Sequence, residues 1–66
     1  MIVNNLEIRI ITDNILRFGG FREKEVLKDL VKIELIESKE DYKIYHFEDK
    51  NGNYFEYDFK SHRITN

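Results

Sequence analysis

The fold is decided by residues 43–59, which read KIYHFEDKNGNYFEYDF. Within it, Asp49-Lys50-Asn51-Gly52 is typical of a type I turn followed by a left-handed glycine, which closes a three-residue hairpin loop. Such a loop places Asp49 opposite Asn53. The further pairs are Phe47 with Phe55, Tyr45 with Tyr57, and Lys43 with Phe59. This register gathers the aromatic side chains on one face, whereas a slip by one residue would mix them with charged ones.

The preceding segment extends this hairpin into a three-stranded meander. A three-residue loop at residues 39–41 places Leu35 opposite Tyr45. The same loop places Ile33 opposite Phe47, whereas a two-residue loop would turn charged residues toward the aromatic face. The predicted core face comprises Val31, Ile33, Leu35, Tyr45, Phe47, Phe55, Tyr57 and Phe59.

Residues 22–30 show a helical pattern. Val26, Leu27 and Leu30 fall on one stripe, and charged residues take the outer face. Phe21 precedes this segment and is placed to staple the start of the helix. Because so short a helix is unstable alone, we expect it to pack on the sheet.

The N-terminal segment favours a strand. Residues 6–12, LEIRIIT, are rich in β-branched side chains and alternate between apolar and polar. Residues 13–18 fit either a short strand or one helical turn that Gly19 ends. The predicted fold class is therefore α+β, a small single domain over residues 1–66. Its order is βαβββ or ββαβββ: an antiparallel sheet with a C-terminal three-stranded meander, and one short helix packed on one face.

Stability is a constraint for a chain of 66 residues. Domains of about this size bury only about 60% of the surface that the unfolded chain exposes, and disulfides, metals or partners commonly compensate. There is no cysteine, and His46 and His62 are the two imidazoles, so we expect no disulfide, no metal and no cofactor. Good packing of the core or self-association remains as the source of stability, and we expect a homodimer.

Location and origin follow from composition. Residues 1–5 lack the basic start and long apolar segment of a signal peptide, and no apolar run reaches the length of a membrane span. With no cysteine, this favours the cytoplasm and no membrane partner. Alanine and proline are absent, while residues with A/T-rich codons dominate. We expect a low-GC bacterium or one of its phages, in which case the location is the host cytoplasm.

Catalysis is not indicated. His46 lies opposite Glu56 with Asp58 two residues along, a set that could serve as an acid–base pair or as metal ligands. An ordinary cross-strand charge pair is the better explanation, since the sequence offers no third ligand. A pocket of about 300–1,000 Å³ is also hard to enclose in so short a chain. We expect no catalytic residues and no enzyme activity.

The sheet face opposite the core favours binding. Tyrosines and isoleucines surrounded by acidic residues are typical of an interface with an aromatic centre and a polar rim. The predicted partner-binding residues are Ile36, Tyr42, Ile44, His46, Tyr54, Glu56 and Asp58. This face could instead contact a second copy or only water.

We therefore expect a non-enzymatic protein-binding module, a phage or mobile-element accessory that inhibits or redirects a host protein. The alternatives are a small nucleic-acid-binding regulator and a small structural subunit of a larger complex. We expect no nucleic-acid partner, because the acidic residues of the outer face repel phosphate and the basic residues of the helix alternate with acids.

Overall fold

Two N-terminal helices precede a four-stranded antiparallel sheet in the computed structural model, which describes residues 3–66. The elements are α1 (Asn5–Phe18), α2 (Phe21–Lys28), β1 (Leu30–Ser38), β2 (Lys43–Asp49), β3 (Tyr54–Asp58) and β4 (Arg63–Ile64). The strands follow each other in the sheet in chain order. The α+β class is confirmed, but the orders βαβββ and ββαβββ are wrong, because the order is ααββββ. Met1 and Ile2, at the start that we expect not to be a signal peptide, lie outside the described residues.

Helix α1 replaces the strand predicted over residues 6–12, and residues 13–18 complete the same helix. The Asn4 side-chain oxygen accepts a hydrogen bond from the Glu7 backbone N–H at 3.1 Å and caps its start. Ile11 and Ile15 are buried on the side that faces the sheet. Burying such a side chain contributes about 1.5–3 kcal/mol, which exceeds the few tenths of a kcal/mol by which isoleucine disfavours a helix. Tertiary packing therefore overrides local preference.

Gly19 separates the two helices. Its N–H donates to the Ile15 carbonyl oxygen at 2.8 Å, and a Cβ at Gly19 would lie 2.5 Å from that oxygen. Only glycine fits this close approach. Of the two alternatives for residues 13–18, the helical one that Gly19 ends is correct, within a longer helix. The Gly20 N–H then donates to the Glu23 carboxylate at 2.9 Å, which satisfies a free donor at the start of α2. The predicted helix is present, although it ends at Lys28 rather than near residue 30.

The central register of the sheet is confirmed. Tyr45 pairs with Tyr57 and Phe47 with Phe55, and Gly52 closes the hairpin at φ 84°. The Phe47 and Phe55 rings stack with their centroids 4.8 Å apart. The buried core consists of Ile11, Ile15, Val26, Leu35, Tyr45, Phe47, Phe55 and Tyr57. The predicted core face is thus correct at its centre, where the helices cover the aromatic side chains of the sheet.

The edge strand β1 departs from the prediction at two irregularities. The pairing shifts between Leu30 and Lys32 and again between Leu35 and Glu37. Val31, predicted for the core, lies in the first and is 66% exposed. The predicted register, with Leu35 opposite Tyr45, would pair Ile36 with Ile44. The second shift instead makes Glu37 the partner of Ile44. An extra residue in one strand bends it and reorients its neighbours, which alternation alone does not reveal.

The meander also has a fourth strand. The chain turns back after β3, and Arg63 pairs with Asp58. The pairing continues beyond β4, because the Glu56 N–H donates to the Asn66 carbonyl oxygen at 2.6 Å. The C-terminal segment therefore covers the edge of β3.

Polar contacts fasten the first helix to the sheet. The Glu7 carboxylate accepts hydrogen bonds from the Lys43 ammonium at 2.7 Å and from the Tyr45 hydroxyl. Desolvation raises the pKa of Glu7, but these hydrogen bonds outweigh it and hold the pKa below its ordinary value. Burial and the bond to Glu7 raise the pKa of Tyr45 to about 12. Farther along, the Asn14 amide donates to the Tyr57 hydroxyl at 2.5 Å. Within residues 3–66, neither helix is long and apolar enough to cross a membrane.

Candidate protein-interaction surfaces

His46 occupies the centre of the outer face, by which we mean the sheet surface away from the helices. Side chains alternate along a strand, so the burial of Tyr45 and Phe47 toward the helices turns His46 outward. Its Nδ1 lies 3.0 Å from the Glu56 carboxylate and its Nε2 lies 2.9 Å from the Glu48 carboxylate. The predicted opposition of His46 and Glu56 is confirmed, and Glu48 joins them.

This arrangement favours the imidazolium form of His46. Both ring nitrogens can donate to carboxylates only when both carry a proton. Desolvation lowers the pKa of His46, but the hydrogen bonds to Glu48 and Glu56 outweigh it, and the pKa is raised above its ordinary value. The His46 side chain is only 15% exposed. The centre of the outer face is thus an imidazole ring held between two carboxylates.

Tyr54 completes an ordered platform beside this centre. Its ring stacks on His46 with centroids 5.1 Å apart and planes inclined at 25°. Its backbone carbonyl oxygen accepts a hydrogen bond from the Arg22 guanidinium at 2.8 Å, which ties α2 to the same strand. Tyr54, His46, Glu48 and Glu56 therefore form one group, called here the histidine platform.

The other predicted contact residues lie at the opposite end of β2. Tyr42 precedes the strand, and its hydroxyl donates to the Glu37 carboxylate, which together with desolvation raises the pKa of Tyr42. Tyr42 lies six positions before Glu48, the cross-strand partner of Tyr54. At about 3.3 Å per residue this corresponds to about 20 Å. The structure therefore does not bring the two tyrosines together; Ile36, 40% exposed, and the half-buried Ile44 lie near the Tyr42 end.

Asp58 is engaged within the chain. Its carboxylate accepts hydrogen bonds from the Lys43 N–H and the Lys60 N–H, both at 3.0 Å. It also accepts one from the Ser61 hydroxyl at 2.9 Å. Burial raises the pKa of Asp58, but these donors outweigh it and hold the pKa below its ordinary value. We assign this side chain to the turn that follows β3.

Sequence reasoning missed an apolar surface on the helices. Phe18 and Phe21, on the two sides of Gly19-Gly20, are 81% and 80% exposed, so Phe21 does not staple the second helix. We call this pair the phenylalanine corner. The other exposed apolar residues of α1 are Leu6, Ile10 and Leu16. The strand predicted over residues 6–12 hid this surface, although Asn4 followed by Glu7 is a start signal for a helix.

An open groove runs along α1 between its exposed aliphatic side chains, without convergent catalytic groups. Within residues 3–66, no three His, Asp or Glu side chains are placed to hold a metal ion. Compared with protein-family models, curated proteins and solved structures, the chain matches none.

Proposed function

We propose that the protein is a non-enzymatic protein-binding module whose outer face docks on a basic surface of a partner protein. The observation that carries this is the histidine platform, in which Tyr54 stacks on a His46 ring fixed between two carboxylates. Binding costs less entropy when the contact side chains are already ordered. Tyrosine also supplies a large contact area at low entropy cost. An ordered tyrosine beside a fixed ring is therefore suited to an interface.

Charge supports a basic partner. Three carboxylates, those of Glu34, Glu48 and Glu56, belong to the outer face, and residues 34–66 contain eight acidic and five basic residues. A basic patch on the partner complements this distribution. Such complementarity raises the association rate and makes it depend on salt.

The basic side chains do not favour the nucleic-acid alternative. Several are paired with carboxylates: Arg17 with Asp13, Lys32 with Glu34, Lys43 with Glu7, and Lys50 with Asp29. A groove that holds phosphates needs cations that are clustered and available. We retain as part of the proposal that the partner is a host protein, inhibited or redirected by a phage or mobile-element product. Its support is the composition of the chain.

The test separates the two aromatic surfaces, the histidine platform and the phenylalanine corner. We would capture partners from a low-GC bacterial lysate with the wild type, identify a specifically retained protein and measure its affinity for Tyr54→Ala. The matched control is Phe18→Ala/Phe21→Ala, which removes aromatic area from the phenylalanine corner only. We expect Tyr54→Ala to weaken binding by about 2 kcal/mol, roughly 30-fold, as for a typical hot spot. Circular dichroism spectra of each variant are compared with that of the wild type to check that the variant is folded.

Tyr42→Ala provides a second comparison, because Tyr42 lies at the far end of the outer face. We expect it to weaken binding less than Tyr54→Ala. Binding that survives Tyr54→Ala but is lost in the Phe18→Ala/Phe21→Ala variant moves the site to the phenylalanine corner. Affinity that does not fall with added salt argues against a basic partner surface.

A further inference from the structure

Among residues 3–66, strand β1 has one edge without a neighbour in the sheet. The Asp49 N–H donates to the Asn53 carbonyl oxygen, and the Phe59 N–H donates to the Lys43 carbonyl oxygen. The odd-numbered residues of β2 therefore direct their backbone groups to β3. Since these groups alternate sides along an antiparallel strand, the even-numbered residues of β2 bond to β1.

The alternation also determines which β1 groups remain open. Lys32 and Glu34 pair with even-numbered residues of β2, so their backbone groups point inward. The backbone N–H and C=O groups of Ile33 and Leu35 then point to the open edge. An edge of this kind is a template for another strand.

The bulges limit where that strand can pair. They lie at Val31 and Ile36, and bulges interrupt regular pairing along an edge. Residues 32–35 form the regular stretch between them. Any added strand therefore has a short and well-defined place to bind.

We propose that a second copy of the chain pairs with this edge, antiparallel, about a two-fold axis at Ile33. Ile33 then lies opposite its own copy, and their outward backbone groups exchange hydrogen bonds. Lys32 lies opposite Glu34 of the second copy, and by symmetry the pair occurs twice.

Charge selects this axis over its neighbours. A two-fold axis at Lys32 would place Lys32 opposite Lys32 of the second copy. An axis at Glu34 would likewise place Glu34 opposite Glu34. Like charges directly opposite each other destabilise a strand pair. An axis between Ile33 and Glu34 places an apolar residue opposite a charged one and turns the core face of one copy to the outer side of the other. The axis at Ile33 joins opposite charges and aligns the two core faces.

This contact goes beyond the proposed function and shares with it only Glu34, one of the three outer-face carboxylates, which Lys32→Glu leaves unchanged. Edge pairing joins the sheets side by side, so the outer faces of both copies stay open. Loss of the dimer and loss of partner binding are therefore separate observations. A dimer would offer two histidine platforms on one continuous sheet surface.

The test is charge reversal measured by sedimentation equilibrium. We expect the wild type to give twice the chain mass of 8.1 kDa. Lys32→Glu and Glu34→Lys each turn two attractive pairs into repulsive ones, and we expect each to raise the dimer dissociation constant by about tenfold or more. The double variant Lys32→Glu/Glu34→Lys restores opposite charges across the axis and should restore the dimer. The control is Lys24→Glu, the same charge change on the exposed face of α2, which should leave the dimer intact.

A cysteine variant gives a second readout. The natural chain contains no cysteine, so Ile33→Cys can form a disulfide only between copies. Hydrogen-bonded antiparallel pairs have Cα atoms about 5.5 Å apart, within the range of a disulfide. We expect oxidation to link Ile33→Cys much faster than the control Lys24→Cys.

Three results would overturn the proposal. The first is a monomer mass for the wild type at the highest concentration measured. The second is a dimer that withstands Lys32→Glu, or one that the double variant fails to restore. The third is a dimer that Tyr54→Ala dissociates while Lys32→Glu does not, which would move the contact to the outer face.

Discussion

Replacing Tyr45 by phenylalanine tests the attachment of α1 to the sheet. The side chain is fully buried, and its hydroxyl donates to the Glu7 carboxylate on the helix. Phenylalanine keeps the ring and its packing and removes only the hydroxyl. The change in stability therefore reports the hydrogen bond between helix and strand.

The expected loss follows from the charge of the acceptor. A hydrogen bond to a charged group contributes about 1.5–3 kcal/mol. Since Glu7 keeps its ion pair with Lys43, its carboxylate is not left without a partner, and we expect the lower part of this range, about 1.5–2 kcal/mol. For a domain of this size each kcal/mol lowers the melting temperature by about 4–8 °C. The variant should therefore melt roughly 6–16 °C below the wild type.

The loss should also depend on pH. The pKa of Glu7 is held below its ordinary value because the bonds from Lys43 and Tyr45 outweigh desolvation. A group with a lowered folded pKa stabilises the protein above its unfolded pKa, and the contribution disappears as pH falls through the folded pKa. The difference between Tyr45→Phe and the wild type should accordingly shrink in acid.

Thermal denaturation followed by circular dichroism measures both effects. The matched control is Tyr42→Phe, which removes a hydroxyl bonded to Glu37 at a half-exposed position. We expect it to change stability by no more than about 0.5 kcal/mol. The reasoning is refuted if Tyr45→Phe melts with the wild type at neutral pH, or if its deficit persists undiminished below about pH 3, where glutamate in the unfolded chain is protonated.

Three further outcomes are expected. Desolvation lowers the pKa of His46, but Glu48 and Glu56 outweigh it and raise the pKa, so His46 stabilises the fold below its unfolded pKa and this contribution is lost as pH rises through the folded pKa. Urea midpoints should show this decline in the wild type and not in His46→Gln. Identical pH profiles of the two proteins would contradict it. Phe47→Ala removes a fully buried ring at a cost of about 3–5 kcal/mol, which is comparable with the total free energy of unfolding of about 3–10 kcal/mol for a domain of this length. Circular dichroism at room temperature should therefore show a largely unfolded chain. A native spectrum would count against the packing of this ring. Fluorescence anisotropy at physiological salt should detect no appreciable binding to short DNA or RNA, and submicromolar affinity with a steep salt dependence would favour the nucleic-acid regulator.

The outer face was only partly predictable from the sequence. The turn at residues 49–52 determines which residues face each other, so the opposition of His46 and Glu56 could be predicted. The stacking of Tyr54 on His46 and the second carboxylate, Glu48, depend on side-chain conformations that alternation does not specify. Tyr42 and Tyr54 are far apart because they lie beside opposite ends of β2. Assigning both to one face of the sheet does not take this distance into account.

The exposed phenylalanines show the opposite case. Phe18 and Phe21 are apolar, and hydrophobicity alone places such residues in a core. They lie on the two sides of Gly19 and Gly20, which end one helix and start the next, and both are exposed at this corner. Only the packing of the two helices decides this.

The sequence by itself determined the hairpin of β2 and β3. A local turn sets its register, and the alternation of Tyr45 and Phe47, and of Phe55 and Tyr57, with polar residues leaves one arrangement with a buried face. It did not determine the state of residues 6–18, because alternation and helical spacing coexist there and isoleucine favours a strand locally. The tertiary structure decided in favour of a helix, since Ile11 and Ile15 are buried only when the segment is helical and lies against the aromatic face, while Glu7 reaches Lys43 and Tyr45 from the same helix.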